Sequence, residues 1–421
     1  MGQLFSSDTD ETENLASSMK TYFTNFNMIN KIISEETIKL ITSKLEAGHT
    51  DSMGVIINSV LKKVTNATLN IAVTGESGSG KSSFINALRG VKPGDEQSAD
   101  TGVVETTMEP TKYQHPKFPT VIFWDLPGIG TTSFPPQEYL KKVKFGEYDF
   151  FIIISSTRFK DTDVQLAKAI KDLGKHFYFV RSKIDIDLQS EQKQKPKTFD
   201  QEKFLEQIRN NCLQDFRQIK MEKPPIFLIS SDEVFEYDVP ILMNKILNDL
   251  STQKRHIFML SLPNVTEEVI ESKRDSLKQK VWLEAFKNAL WATLPFGITS
   301  DYDKKKVENS LNEYRALFGV DDASLQKLAT YSKVPVEQLK SVIESPRLLE
   351  KEKNESASKG FLQWVEKFCS ANGGLLAMGF YFRNTLFLQL YMLDKVASDA
   401  KILLKKTFSE KGWVSPQLKT S

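Results

Sequence analysis

Apolar residues recur at helical spacing near the start of the chain: Ile38, Ile41 and Leu45, then Val55, Ile56, Val60, Leu61 and Val64. From Leu69 the texture changes. Short, nearly continuous apolar runs appear at 69–75 (LNIAVTG), 120–124 (TVIFW), 148–155 (YDFFIIIS), 177–182 (FYFVRS) and 226–230 (IFLIS). Between several of them lie stretches of helical period, at 82–88, 163–173 and 199–216. Apolar strands alternating with helices predict an α/β domain with a mostly parallel sheet buried on both faces. The polar stretch 187–197 (DLQSEQKQKPK) reads as an exposed loop. Beyond about Thr252 no strand-like series returns: 265–294 has a helical period, 321–328 and 335–343 read as short helices, and 375–404 as long ones. No internal repeat is visible. The pattern therefore predicts a tail and helices over 1–66, an α/β domain over 67–252 and helices over 253–421, with the two helical stretches building one flanking domain.

Composition narrows the class. A chain of 421 residues is long enough for two to three domains. The balance of 56 Lys and Arg against 54 Asp and Glu leaves a net charge of +2, which argues against a protein that coats nucleic acid. With 40% apolar and 26% charged residues the chain reads as globular. Its two cysteines, Cys212 and Cys369, offer neither a disulfide framework nor a paired metal site, and suit a reducing, cytoplasmic setting. The N-terminus is acidic at Asp8, Asp10, Glu11 and Glu13 and lacks the features of a secretion signal. Gly2 behind the initiator Met, with Ser6, fits the N-myristoylation pattern. The apolar stretch 373–393 carries Arg383 and Asn384 at its middle, so a buried helix is expected there rather than a membrane span.

Candidate chemistry begins at the first apolar run. Gly75-Glu76-Ser77-Gly78-Ser79-Gly80-Lys81-Ser82 fits G-x-x-x-x-G-K-[ST], with a strand before it and a helix from Ser83 after it. Glycines let the backbone curl so that successive N–H groups meet phosphate oxygens at a helix N-terminus. Lys81 can place its charge between the β and γ phosphates, and the Ser82 hydroxyl can ligate Mg²⁺. Asp125-Leu126-Pro127-Gly128 ends a strand as D-x-x-G; its carboxylate can hold Mg²⁺ and the Gly128 N–H can sense the γ-phosphate. Ser182-Lys183-Ile184-Asp185 is close to [NT]-K-x-D, departing from it at Ser182. A carboxylate at Asp185 accepts from N1–H and N2–H₂ of guanine, which adenine cannot offer, and this disfavours an ATPase or kinase. Ser230-Ser231 stands where a main-chain N–H would read the guanine O6. A magnesium-sensing threonine is expected between the first two motifs; Thr101, Thr106 and Thr107 all qualify, with Thr101 the first choice.

With these motifs, together with FWDLPGIG (123–130), EYDFFIIIS (147–155) and TGVVETTME (101–109), the chain resembles the interferon-inducible immunity-related GTPases over essentially its whole length. Lys81 places it with the GKS branch rather than the GMS regulatory members. The resemblance implies a Ras-like P-loop domain flanked by a helical domain, binding of GDP and GTP, and hydrolysis of GTP with Mg²⁺. It further implies nucleotide-dependent self-assembly on the cytosolic face of membranes, including vacuoles that enclose pathogens, a myristoyl group on Gly2, and restraint by GMS members.

Small signalling GTPases orient their attacking water with a Gln directly after D-x-x-G. Here that residue is Ile129, which has no donor or acceptor. The resemblance supplies an alternative: Glu105 takes part in catalysis across a dimer of nucleotide-binding domains, alongside Lys81 and Thr101. Arg158 reads first as a solvated surface residue and second as a group that approaches the phosphates. Phe361, Trp364, Val365 and Phe368 form a stripe opposite Lys359, Gln363, Glu366 and Lys367; it faces either a core or a lipid surface. Two functions stay open, an assembling GTPase and a low-turnover, GTP-gated membrane adaptor. His49, His115, His176 and His256 are scattered and read as structural or surface residues.

Overall fold

Six strands form one sheet: β1 Leu69–Gly75, β2 Thr111–Gln114, β3 Val121–Asp125, β4 Phe150–Ser155, β5 His176–Arg181 and β6 Ile226–Leu228. Their order is β2-β3-β1-β4-β5-β6, and every pair is parallel except β2 with β3. These assignments come from a computed structural model that describes residues 20–25, 31–47, 49–100, 109–128, 136–217, 224–232, 236–264, 266–292, 300–348 and 375–408. The apolar runs of the sequence are continuous because both faces of the sheet are covered. On one face Ala72, Phe151, Ile153 and Phe179 join a core with Leu140, Val164, Leu166 and Ile170. On the other, Phe150 meets Tyr178 and Phe258 edge to face. Helices connect the strands: α1 Glu35–Glu46 and α2 Thr50–Asn66 precede the sheet, and α3 Lys81–Arg89, α4 Pro136–Lys142, α5 Asp161–Asp172, α6 Ile184–Gln194, α7 Gln201–Arg217, α8 Val239–Asp249 and α9 Thr252–Ser261 run through it. This is the mostly parallel, Ras-like P-loop architecture expected from the sequence.

Three local expectations need correction. Residues 187–194 are not a loop but the body of α6, where only Ile184 and Leu188 are buried and the apolar period is too thin to see. Strand β2 escaped notice because its sequence, TKYQ, is polar and its side chains lie exposed at the sheet edge. The stretch 375–404 is one helix, α14 Leu375–Phe408, rather than several.

The chain divides into a unit of residues 66–263 and a unit of 1–65 with 264–421. Helix α9 belongs to the first. The second contains α1, α2, α10 Glu267–Ala292, α11 Ser300–Leu317, α12 Asp322–Ser332, α13 Val336–Ser341 and α14. Its core joins both ends of the chain: Phe23, Ile41, Met53 and Ile57 pack with Trp282, Leu283, Phe286 and Phe382. The buried Gln279 accepts the Ile32 N–H at 3.1 Å. Along the seam between α10 and α14, Glu267 pairs with Lys405, Glu271 with Lys401, and Asp394 with Lys278 and Arg274. Leu388, Met392 and Leu393 of α14 are buried, whereas Phe387 and Tyr391 are exposed. Among the described residues no helix is long and apolar enough to cross a membrane.

Candidate functional site

Strand β1 lies between β3 and β4, so its C-terminal end opens on the crevice where connections diverge to the two sides of the sheet. The chain leaves β1 at Gly75, curls through Gly78 and Gly80, both at positive φ, and enters α3 at Lys81. Gly75 has no substitute: at φ 145° a Cβ would stand 2.0 Å from the Ile154 carbonyl oxygen. The α3 N-terminus thus faces the crevice end of the sheet with its main-chain donors, a ready anion site. Lys81 Nζ, buried in the loop, donates to the carbonyls of Gly75 and Glu76, each at 3.1 Å. Ser79 carries a buried hydroxyl with no hydrogen-bond partner among the described residues, which suits a ligand oxygen.

The second motif arrives from the neighbouring strand. Register pairs Val73 with Asp125, and the Leu126 N–H donates to the Val73 carbonyl at 2.9 Å. Asp125, 1% exposed, accepts the Ser82 hydroxyl at 2.8 Å. One hydroxyl and one carboxylate converging beside a phosphate cradle are the hard oxygen donors that Mg²⁺ takes from a protein when phosphates supply further ligands. The residues therefore fit the ion.

The third motif follows β5 and is bound to the first. Ser182 Oγ donates to the Ser79 carbonyl at 2.6 Å, and Lys183 Nζ to the Gly78 carbonyl at 2.8 Å. Lys183 sits at φ 60°, an arch that costs a non-glycine residue energy and needs support. Arg181 provides it. Its guanidinium donates to the Ser182 carbonyl and to Asp187 Oδ2, each at 2.5 Å. Burial holds the Asp187 carboxyl above its ordinary value despite that cation. Asp185 stands half-buried in the first turn of α6. The neighbouring β6 brings Ser230 and Ser231 alongside, with Ile184 N–H on the Ile229 carbonyl at 3.2 Å and Asp232 N–H on Ser230 Oγ at 3.2 Å.

The interferon-inducible GTPase (IIGP) family profile matches residues 34–407. The chain belongs to the interferon-inducible GTPase family. It is 49% identical over 406 residues to Interferon-gamma-inducible GTPase 10 of Mus musculus, covering 96% of this chain and 97% of that protein. It is 48% identical over 408 residues to Interferon-inducible GTPase 1 of Mus musculus, covering 96% and 99%. Interferon-inducible GTPase 5 of Rattus norvegicus is 36% identical over 389 residues, covering 90% and 84%.

Within this interferon-inducible GTPase family member, the structure brings Gly75–Ser83, Asp125, Gly128, Ser182, Lys183, Asp185, Ser230 and Ser231 to one end of the sheet. Gly2, Thr101, Glu105, Thr106, Thr107, Ile129 and the stripe Phe361–Phe368 lie outside the described residues. Arg158 is exposed, and its carbonyl accepts the Ser155 hydroxyl at 3.1 Å. His115 is buried and accepts the Lys117 N–H, a turn-forming role.

Sequence reasoning missed the groups that hold the site. Arg181 was hidden inside an apolar run, though a cation at the buried end of a strand is a usable signal. Asn86 and Arg89 were hidden in α3: Asn86 bonds both backbone groups of Ala99, and Arg89 bonds the carbonyls of Gln97 and Gln114. They anchor the chain just before Thr101. Lys160 pairs with Glu76 at 2.5 Å, next to Asp163 at the start of α5. Burial, aided by the Glu76 charge, pushes the Asp163 carboxyl up to about 6 although it accepts the Lys160 N–H.

Proposed function

We propose that this chain is a GTPase that binds GTP and GDP in the loop Gly75–Ser83 and hydrolyses GTP to GDP and phosphate. The observation that carries this reading is the junction in which Ser182 and Lys183 bond the carbonyls of Ser79 and Gly78. It fastens the loop suited to a base onto the loop suited to phosphates, and a nucleotide with a polyphosphate tail spans both. Membership of a family whose relatives carry GTPase in their names supports the hydrolytic step.

Each residue then has a task. The amides of Gly75 to Ser83 bind phosphate oxygens, and Lys81 offsets charge on the β and γ groups. Asp185 accepts from N1–H and N2–H₂ of guanine, while a main-chain N–H at Ser230 or Ser231 donates to O6. The Gly128 N–H meets the γ-phosphate. Ser82 and Asp125, joined by Thr101, would hold Mg²⁺, which supplies positive charge to the β and γ oxygens as the bond breaks.

Ile129 cannot orient water, so the reading includes a second copy of this chain, with Glu105 acting across a shared nucleotide interface. Light scattering alongside GTP turnover, compared for GDP, GTP and Lys81→Ala over a dilution series, tests it. GTP-dependent assemblies and turnover per molecule that climbs with concentration are expected. Flat turnover removes the dimer, and calorimetry with no heat from GDP or GTP removes the site. A low-turnover, GTP-gated adaptor is the second reading, favoured by Ile129 itself, and negligible turnover at high concentration would establish it.

The finer setting is a peripheral protein on the cytosolic face of membranes, including vacuoles that enclose pathogens, acting in cell-autonomous immunity and restrained by GMS members. The Gly2 pattern and the family resemblance support this. One myristoyl chain binds membranes only at about 10⁴ M⁻¹, so assembly and the stripe Phe361–Phe368 would strengthen the attachment. Gly2→Ala is expected to move the protein into the soluble fraction; unchanged membrane recovery argues against the lipid as main anchor.

A further inference from the structure

Tyr139, in α4, is buried and belongs to none of the three motifs, yet its hydroxyl stands between two of them. It donates to the Pro127 carbonyl at 2.9 Å. With its single proton engaged there, its oxygen accepts the hydroxyl of Thr74, again at 2.9 Å. Thr74 is the residue of β1 directly before Gly75, and it is fully buried. Burial raises the Tyr139 phenol well above its usual value, so it stays a donor at any physiological pH.

The carbonyl that Tyr139 holds belongs to a particular peptide. The Pro127 C=O and the Gly128 N–H are the two ends of one planar unit, and the chain has no cis peptide among the described residues. In a planar trans peptide the C=O and N–H bonds point in opposite directions. Fixing the carbonyl on one side therefore fixes the direction of the N–H on the other. A hydrogen bond at the carbonyl also polarises the amide and strengthens its N–H as a donor. One residue earlier, the Leu126 N–H is tied to the Val73 carbonyl at 2.9 Å. The D-x-x-G backbone is thus pinned to β1 twice, once directly and once through Tyr139 and Thr74.

We propose that Tyr139 is a positioning residue for the γ-phosphate: its hydroxyl orients the Gly128 amide and thereby sets how strongly the chain prefers GTP over GDP. This rests on the reading of Gly128 as the γ-phosphate donor. It requires that loss of the hydroxyl weaken triphosphate binding selectively, because GDP makes no contact with that amide.

The test is Tyr139→Phe in the full chain, which keeps the ring in its core and removes only the hydroxyl. Binding of GDP and of a non-hydrolysable GTP analogue is measured by calorimetry, with thermal melting in parallel. The expected result is GDP affinity within about twofold of the parent and analogue affinity reduced about five- to tenfold, the scale of one hydrogen bond. Thr74→Val, which leaves the Tyr139–Pro127 bond in place, should lower the analogue-to-GDP ratio about threefold, and it carries the test if Tyr139→Phe does not fold. Equal losses for both nucleotides, or an unchanged ratio, overturn the proposal. Gly128→Pro, which removes that N–H, separates the two layers, with its melting curve read beside the parent's. If it collapses the ratio while Tyr139→Phe does not, the role of Tyr139 fails and that of Gly128 stands. If Gly128→Pro leaves the ratio unchanged, the reading of Gly128 fails and takes the proposal with it.

Discussion

The Ser82 hydroxyl lies 2.8 Å from Asp125 Oδ2, so the last residue of the phosphate loop and the first residue of D-x-x-G already touch. They come from opposite sides of a sheet junction, one at the start of α3 and one at the end of β3. Ser82→Ala removes the hydroxyl and leaves Asp125 without that donor. The expected outcome is GDP binding that no longer tightens when Mg²⁺ replaces a chelator, and GTP turnover reduced by about two orders of magnitude, the scale at which one electrostatic contact to the transition state is felt. Titration with and without Mg²⁺, followed by a phosphate-release assay, checks both.

Arg181 supports the arch at Lys183 by bonding the Ser182 carbonyl and Asp187. Arg181→Met keeps much of the buried stem and removes both bonds. Guanine selectivity should fall, read as the ratio of GDP to ADP affinity, by about tenfold, roughly the worth of one charge-assisted hydrogen bond. Asp185→Asn should lower the same ratio further, since it removes the base acceptor itself. A fall for Asp185→Asn with no change for Arg181→Met would confine the role of Arg181 to stability.

Asp163 predicts a pH dependence. Its folded value of about 6 lies above the ordinary carboxylate value, from burial first and the Glu76 charge second. The folded state therefore holds more protons than the unfolded one between about pH 4 and pH 6, and this residue's contribution to stability declines as pH rises through that window. An amide oxygen can accept the same Lys160 N–H without the charge. Asp163→Asn should be more stable than the parent at pH 7.5, by on the order of 2 kcal/mol, and equal to it near pH 4. Chemical denaturation at the two pH values measures the difference.

Gly75→Ala tests the loop's backbone. The added Cβ would meet the Ile154 carbonyl at 2.0 Å, a main-chain atom of the neighbouring strand that cannot swing aside. A loss of about 3 kcal/mol or more is expected, with GDP binding abolished, because β1 and β4 would have to separate at their C-terminal ends. Melting temperature and GDP calorimetry check it. Gly78→Ala has open space around its Cβ and only the positive φ to oppose it, so it should cost about 1 kcal/mol.

The strands β1, β3, β4 and β5 were legible because a sheet covered on both faces writes itself as uninterrupted apolar runs. Strand β2 and helix α6 were not, for the opposite reason: exposed side chains put no apolar period into the sequence. The site behaves similarly. Gly75, Lys81, Ser82, Asp125 and Asp185 could be named as candidates because phosphate, Mg²⁺ and guanine chemistry calls for those residue types at short spacings.

By itself the sequence determined the alternation of strands and helices, the loop that curls at Gly75 and the motifs along the strand ends, since all of these rest on interactions between near neighbours in the chain. Only the tertiary structure decided which side chains hold those motifs in place. Tyr139 meets Thr74 across 65 positions and Ser182 meets Ser79 across 103. A buried hydroxyl or guanidinium takes its partner from whatever backbone the packed sheet delivers to it, and no local pattern records that choice.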